Sequence, residues 1–479
     1  MNRMPRSRKW TTLVVVMTSV FMATLDSSAV NITLPTLAVE LDATFDALQW
    51  VVLAYLLVIT GLLLPFGRAA DVLGRRRFFV AGLAIFVVGS LLSGMAINVW
   101  MLVACRVLQG LGSAATQAIG AALVIDAFPE NERGRAMGWV LSAVSAGLIT
   151  GPLAGGVLVG TIGWRWIFYL NVPVGLISLA LGLRSLPYAA PVGPRRFDFA
   201  GAASLVAGVM LVLFGLNRVQ VAGVATPLVL APLLTGIVLL GGFLAWQRRS
   251  PAPTVDLGMF RVRELSAATL SAFLAFAGLS SLVLLLPFYL QRGLGLAPVQ
   301  VGLVLATIPA LMGLLGPPSG ALADRLGPRP VASVGVALTA IGLALMATLG
   351  DAAGPVDVIV RTLVTGVGLA LFNSANASSL MGAAAPRHRG QASATMSLAR
   401  NTGQSVGQAL WGTLWGVLAA GLLGVAVVGD QPLDTAFDAF RVTWAAAAAV
   451  TLLALVASLA RGPGGADADS SAESSRRAA

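Results

Sequence analysis

The sequence predicts an all-α integral membrane protein of fourteen transmembrane helices, arranged as two pseudo-symmetric six-helix bundles plus an inserted two-helix hairpin. Three observations carry that prediction. Of 479 residues, 57% are hydrophobic and only 11% charged, with mean hydropathy +0.86; a soluble domain carries roughly 25% charged residues. Too little polar surface remains to clothe a water-soluble globule, so lipid is the solvent. The chain also divides into fourteen apolar runs. Finally, a loop of pattern G-x-x-x-D-x-x-G occurs twice, at Gly67–Gly74 and Gly320–Gly327, 253 residues apart.

A membrane helix needs about 20 mostly apolar residues. In order, the first six runs lie near 11–34, 47–67, 78–96, 100–122, 136–160 and 166–186, giving an N-terminal bundle over 1–187. Runs near 199–216 and 226–246 lack a counterpart and read as the inserted hairpin within a linker, 188–264. The last six, near 266–290, 299–322, 331–349, 356–380, 391–425 and 439–460, form a C-terminal bundle over 265–460. The run 391–425 is long and interrupted at Gly412, Gly416, Gly421 and Gly424. Residues 461–479, rich in Gly, Ala, Asp and Ser, read as a disordered tail. The repeat extends beyond the loop. Arg133-Gly134-Arg135-Ala136 matches Arg389-Gly390-Gln391-Ala392 at an offset of 256, and Gly147 and Gly151 match Gly403 and Gly407 at the same offset. Arg106 has a looser partner in Arg361, at 255.

Placing the amino terminus in the cytoplasm puts 24 of the 31 Lys and Arg on inner segments and 3 on outer loops. That bias fixes the orientation, and an even number of spans in the cytoplasmic membrane puts both termini on its cytoplasmic side. The net charge of +11 is therefore topological and does not point to nucleic acid. The first run is too long for a cleavable signal and lacks a small-residue cleavage site. Cys105, the single cysteine, reads as a packing residue, and the single histidine, His388, as a solvated loop residue. No phosphate-binding loop, paired carboxylates or metal cluster occurs in the sequence. The expectation is no enzyme, no cofactor and no metal, with energy drawn from an ion gradient.

Asp26 is the only carboxylate deep in an apolar run; it lies about 14 Å from the outer end and Arg106 about 9 Å, at 1.5 Å per residue. Intramembrane charge is costly and marks function. Burial raises a carboxyl's pKa and a nearby arginine lowers it, so Asp26 with Arg106 is the candidate proton-coupling pair; a fixed structural pair is the alternative. Arg106, Gln109, Ser113 and Thr116 or Gln117 recur at helical spacing as a polar stripe. A second stripe, Ser393, Ser397, Arg400, Asn401, Gln404 and Gln408, runs through the midplane. The candidate substrate cavity comprises Asn31, Gln109, Ser113, Gln117, Asn373, Asn376, Ser397, Arg400, Asn401 and Gln404. Gly147, Gly151, Gly155 and Gly156 allow close helix approach, and Pro152 removes a backbone donor. Gly67, Asp71, Gly74, Arg75, Gly320, Asp324, Arg325 and Gly327, with Gly147, Gly151 and Pro152, are candidate gating residues, because an Asp near a helix amino terminus gains dipole stabilisation.

Four segments, in order, resemble one family. They are Leu25-Asp26-Ser27-Ser28-Ala29-Val30-Asn31-Ile32-Thr33-Leu34-Pro35, Arg106-Val107-Leu108-Gln109-Gly110-Leu111-Gly112, Gly147 to Gly156 and Trp164-Arg165-Trp166-Ile167-Phe168-Tyr169-Leu170-Asn171-Val172-Pro173. With the doubled loop, they resemble the major facilitator superfamily, specifically its fourteen-span drug:proton antiporter group. The resemblance implies a monomeric exporter of a small hydrophobic drug, antibiotic or dye against protons, working by alternating access in the lipid bilayer. A dedicated exporter of one endogenous metabolite is the alternative. The family's arginine after the loop Asp is present as Arg325 but replaced by Val72 in the first copy, so a charge partner there is missing or supplied by Arg68. The spans also hold few acids, which favours a narrow over a polycationic specificity.

Overall fold

The computed structural model describes residues 6–43, 45–186, 198–222, 225–250, 253–296, 298–350, 353–385, 388–423 and 433–461. Regular structure there is helical: α1 Arg6–Glu40, α2 Phe45–Leu73, α3 Arg75–Gly94, α4 Val99–Ala127, α5 Arg133–Thr161, α6 Arg165–Ser185, α7 Phe199–Ala222, α8 Pro227–Gln247, α9 Arg263–Phe288, α10 Pro298–Leu305, α11 Thr307–Leu326, α12 Pro328–Met346, α13 Pro355–Ala383, α14 Arg389–Leu423 and α15 Leu433–Leu459. Backbone polar groups find no water in a bilayer, and helices satisfy them internally. Among the described residues, thirteen helical segments are long and apolar enough to cross a membrane, α10 and α11 counting as one. The fourteenth predicted span is α14, whose polar stripe lowers its apolarity. It is continuous through Gly412, Gly416 and Gly421. The tail beyond residue 461 lies outside the described residues.

Helices α1–α6 pack on one another as α9 and α11–α15 do, in the same pairs: α1 on α5 and α9 on α14, α3 on α4 and α12 on α13, α3 on α6 and α12 on α15. Glycines set these crossings. A Cβ on Gly112 would lie 2.3 Å from Phe86 N and one on Gly89 2.7 Å from Gln109 N; across α12 and α13, the matching distances are 2.5 Å from Gly368 to Thr339 N and 2.7 Å from Gly342 to Thr365 N. At α1–α5 a Cβ on Gly151 would reach Leu25 O at 2.9 Å, and at α9–α14 one on Gly407 would reach Ala277 O at 2.3 Å. This register corrects one sequence match. Gln109 corresponds to Thr365, so Arg106 corresponds to Thr362, not Arg361. Arg361 pairs with Asp357 near the start of α13 (3.6 Å). Asp26 corresponds to Gly278 by the same logic.

Gly156 is also corrected, since a Cβ there would meet nothing within 4 Å. Gly112→Val is expected to cost about 1–3 kcal/mol through overpacking, lowering the thermal unfolding midpoint in detergent, whereas Gly156→Val leaves that midpoint unchanged.

Helix α7 lies against both α2 and α14. Trp50 stacks on Phe214 at 5.8 Å between ring centroids. Helix α8 packs on α7, and Asp198 ties the hairpin's ends together by accepting from Gly201 N (2.8 Å) and Gln247 Nε2 (2.8 Å). His388 is largely buried, with Nε2 3.4 Å from Asp256 Oδ2, not a solvated loop residue. Cys105 is buried and free.

Candidate functional site

Asp26 on α1 is wholly buried, and every neighbour that meets its carboxylate is a donor. Arg106 Nη1 donates to Oδ2. Gln109 Nε2 donates to Oδ1 at 2.9 Å and Asn171 Nδ2 at 3.3 Å. Arg106 also donates to Gln109 Oε1 (2.7 Å) and Val51 O (3.3 Å), and its guanidinium sits 4.0 Å from the Tyr55 ring centroid. Tyr55 Oη donates to Ser113 Oγ (3.1 Å), which also accepts from Gln117 Nε2 (3.0 Å). Asn171 reaches on to Ser90 Oγ at 3.2 Å. One carboxylate thus ties α1 to α4 and α6, and Arg106 carries the link on to α2. An arrangement of donors alone suits the ionised carboxylate; a protonated one would point its own hydrogen at another donor.

Helix α5 crosses α1 beside this cluster. A Cβ on Gly147 would lie 2.0 Å from Thr24 Oγ1 and one on Gly151 1.9 Å from Ser28 Oγ; Ser28 Oγ donates to Gly147 O at 3.2 Å. Pro152 follows within α5, its side chain exposed.

A cavity of about 80 Å³ lies between the two sets of helices, walled by α5, α9, α13 and α14. Met137, Val140, Leu141 and Phe276 supply apolar wall, and Asn373, Asn376, Ser397 and Arg400 the polar groups. Four predicted cavity residues therefore meet. Gln109, Ser113 and Gln117 do not: helical rotation turns them into the α4 cluster around Asp26 and Tyr55. Asn401 Nδ2 instead reaches Thr60 Oγ1 on α2 at 3.4 Å, and Gln404 is not among the wall residues. The side chain of Asn31 lies outside the described residues.

At the basic end of the bundle, each duplicated motif grips the opposite half. The motif is not a loop. It forms the last turns of α2 and of α11, and only Gly74 (φ 100°) and Gly327 (φ 86°) make the turn, in a region that favours glycine. The leading glycines are crossing points: a Cβ on Gly67 would lie 2.7 Å from Gly390 O and one on Gly320 1.9 Å from Gly134 O. The aspartates cap helices. Asp324 accepts from Gly134 N (2.7 Å) and Arg135 N (2.9 Å) at the start of α5. Asp71 accepts from Gly390 N and Gln391 N, both at 3.3 Å, at the start of α14. These amides have no partner within their own helix, and the dipole favours the negative charge.

The two grips differ in charge. Asp71 is also held by Arg75 (Nε–Oδ1 2.9 Å), Arg75 pairs with Asp126, and Asp126 accepts from Arg389 of the other half at 2.5 Å. Around Asp324, Pro328 replaces Arg75 and Gly382 replaces Asp126, while Arg325 is exposed. The partner of Asp71 is thus Arg75, not Arg68. Asp126→Ala is expected to broaden spin-label distances across α2 and α14 at this end, while Glu130→Ala, whose carboxylate is 90% exposed, leaves them unchanged. Unbroadened distances in Asp126→Ala would refute the role given to that pair.

Sequence reasoning missed Asp126, Arg389, Asn171, Tyr55 and Arg461 as site residues. Asn171 belongs to the Trp164–Pro173 segment and Arg389 to the repeat of Arg133, so each carried a sequence signal.

The family description Major Facilitator Superfamily matches residues 16–258 and 268–478. The chain is 31% identical over 397 residues to the riboflavin transporter RibZ of Clostridioides difficile, covering 82% of this chain and 85% of that one. It is 33% identical over 444 residues to the tetracenomycin C resistance and export protein of Streptomyces glaucescens (92% and 79% covered). It is 32% identical over 395 residues to multidrug resistance protein Stp of Mycobacterium tuberculosis (82% and 73% covered). In fold it is similar to the human organic anion transporter MFSD10 (TETRAN), with TM-score 0.69, 16% identity, and 95% and 100% coverage. It is likewise similar to the proton:xylose symporter XylE, with TM-score 0.65, 16% identity, and 94% and 95% coverage. The chain is an integral membrane transporter, not an enzyme, and it belongs to the major facilitator superfamily.

Proposed function

We propose that the protein is a proton-coupled exporter of hydrophobic drug-like or antibiotic molecules, exchanging external protons for cargo across the cytoplasmic membrane by alternating access. One observation carries the reading: a carboxylate buried deep within a span, Asp26, held by Arg106, Gln109 and Asn171 in a form suited to its ionised state. Protonation removes the charge that Arg106 answers. Arg106 must then find new acceptors, and α4 shifts against α1. Because α1 is locked to α5 through Gly147 and Gly151, the movement reaches the cavity wall and the basic-end crossing at Gly134. The basic end is the cytoplasmic one by the charge bias, so this arrangement is closed inwards. The chain works as a monomer in this reading, its cavity complete within one copy.

Relatives named for multidrug resistance and tetracenomycin C export support export as the direction. A dedicated exporter of a single compound is the second reading, favoured by the few acids within the spans. Reconstituted protein with an imposed pH gradient is expected to accumulate a hydrophobic dye against its gradient and to stop when a protonophore is added. Dye movement indifferent to the gradient would sink proton coupling. A resistance profile confined to one compound in a pump-deficient host would select the dedicated exporter.

A further inference from the structure

Arg400 is the cavity's unanswered charge. It lies eleven residues into α14, about 16 Å from the helix start at 1.5 Å per residue. Arg106, the other arginine deep in the bundle, has Asp26 as counter-ion. Arg400 has none: among the described residues, no hydrogen bond or ion pair reaches its guanidinium. No Asp or Glu lines the cavity.

The neighbouring amides have the same polarity. Asn373 Nδ2 is buried without an acceptor. Asn376 has its oxygen taken by the Arg461 guanidinium. Burial pushes Arg461 down to about 10, so it stays charged at neutral pH and can only donate. Its bond fixes the Asn376 amide with the oxygen away from the cavity and the NH2 left to serve it. Arg400 and the Nδ2 groups of Asn373 and Asn376 therefore give the cavity unmet donors, against which stand only neutral oxygens, those of Asn373 and Ser397. A donor buried without a partner, as Asn373 Nδ2 is, costs free energy until an acceptor arrives, and the half-buried guanidinium of Arg400 keeps its donors open to the cavity without a counter-ion.

We propose that this cavity, about 80 Å³ in the arrangement described and widened as the two halves part, takes organic anions: apolar or aromatic molecules whose carboxylate or ionised phenol sets its oxygens on Arg400 and the amides of Asn373 and Asn376. A guanidinium fork matches a carboxylate in two parallel bonds. Phe276 and Met137 cover the apolar frame. An organic cation would meet a like charge and two amide donors it cannot satisfy, which is discrimination by repulsion as well as by attraction. The inference deepens the exporter reading and rests on it for cargo movement, but binding can be read without movement.

Fluorescein and rhodamine 6G share a xanthene frame and differ in charge. With the purified full-length chain in nanodiscs at a single pH, fluorescein is expected to bind at least tenfold more tightly than rhodamine 6G. Arg400→Ala should weaken fluorescein at least tenfold and erase the preference, and Arg400→Lys should retain part of it. Asn373→Leu, which keeps the arginine, should lower fluorescein affinity selectively and serves if Arg400→Ala does not fold. Equal or tighter binding of rhodamine 6G, no binding of either dye, or equal weakening of both in the variants overturns the proposal. A protein that prefers the cation yet exchanges it for protons defeats this inference and leaves the exporter reading standing. Anion preference without pH-driven flux does the reverse.

Discussion

Asp26→Asn is expected to reduce proton-driven transport at least a hundredfold in proteoliposomes while leaving a folded, monodisperse protein. The carboxylate is the only acid against Arg106 among the described residues, and its neighbours Gln109 and Asn171 are neutral amides. An asparagine keeps one oxygen for Arg106 but cannot cycle a proton. It also leaves the arginine buried without its counter-ion, and losing one partner of a buried pair costs about 3–5 kcal/mol. Thermal stability should therefore fall as well. Asp26→Glu separates the two effects, because it keeps a titratable carboxyl at the price of one extra methylene: it should restore partial coupling. Full coupling in Asp26→Asn, measured as cargo-dependent proton movement, would remove Asp26 from the mechanism. Arg106→Gln with coupling intact would remove its partner.

The second large effect is expected at the basic-end crossing. Gly320→Leu should abolish transport and hold the end open, because even a Cβ there would stand 1.9 Å from Gly134 O and 2.8 Å from Arg135 N. Backbone cannot yield to such a contact as a flexible side chain can. Helices α5 and α11 must separate, and the caps on Asp324 are lost with them. Spin labels on the two helices should report a longer distance, and a cysteine placed at the crossing should become reactive. Gly67→Leu should act in the same direction through Gly390 O at 2.7 Å. Gly382→Leu is the control, since a Cβ at Gly382 meets nothing within 4 Å. Wild-type transport by Gly320→Leu would mean that this end need not close during the cycle.

Much of this was legible in the sequence because a bilayer forces regular structure. Apolar runs become helices when no water can satisfy the backbone, and a positional repeat survives as repeated packing. The motif residues Gly67, Asp71, Gly320 and Asp324 were found because their spacing was duplicated. Rotation about each helix was not legible. Gln109 lies three residues from Arg106 and could face either a cavity or Asp26; only the packing of α4 against α1 decides. Asp126 sat at the end of an apolar run with no pattern to mark it, and its partner Arg389 is 263 residues away. Arg461 stood at the border of a tail that promised no structure, yet it fixes Asn376. The motif's helical character was hidden too, because charges such as Arg68 and Asp71 resemble a loop until their partners are known.

Helix α7 covers the seam between α2 and α14, whereas the seam between α5 and α11 has no such cover among the described residues. The covered seam is also the one held by Asp71, Arg75, Asp126 and Arg389. Any widening of the basic end is therefore hinged on one flank and free on the other. A gap on the free flank faces the acyl chains, and the exposed apolar side chains near that end include Leu322 on α11 and Trp139 on α5. Molecules dissolved in the inner leaflet would meet the bundle from that single side, so partitioning into lipid, as much as concentration in water, would set how fast cargo is loaded.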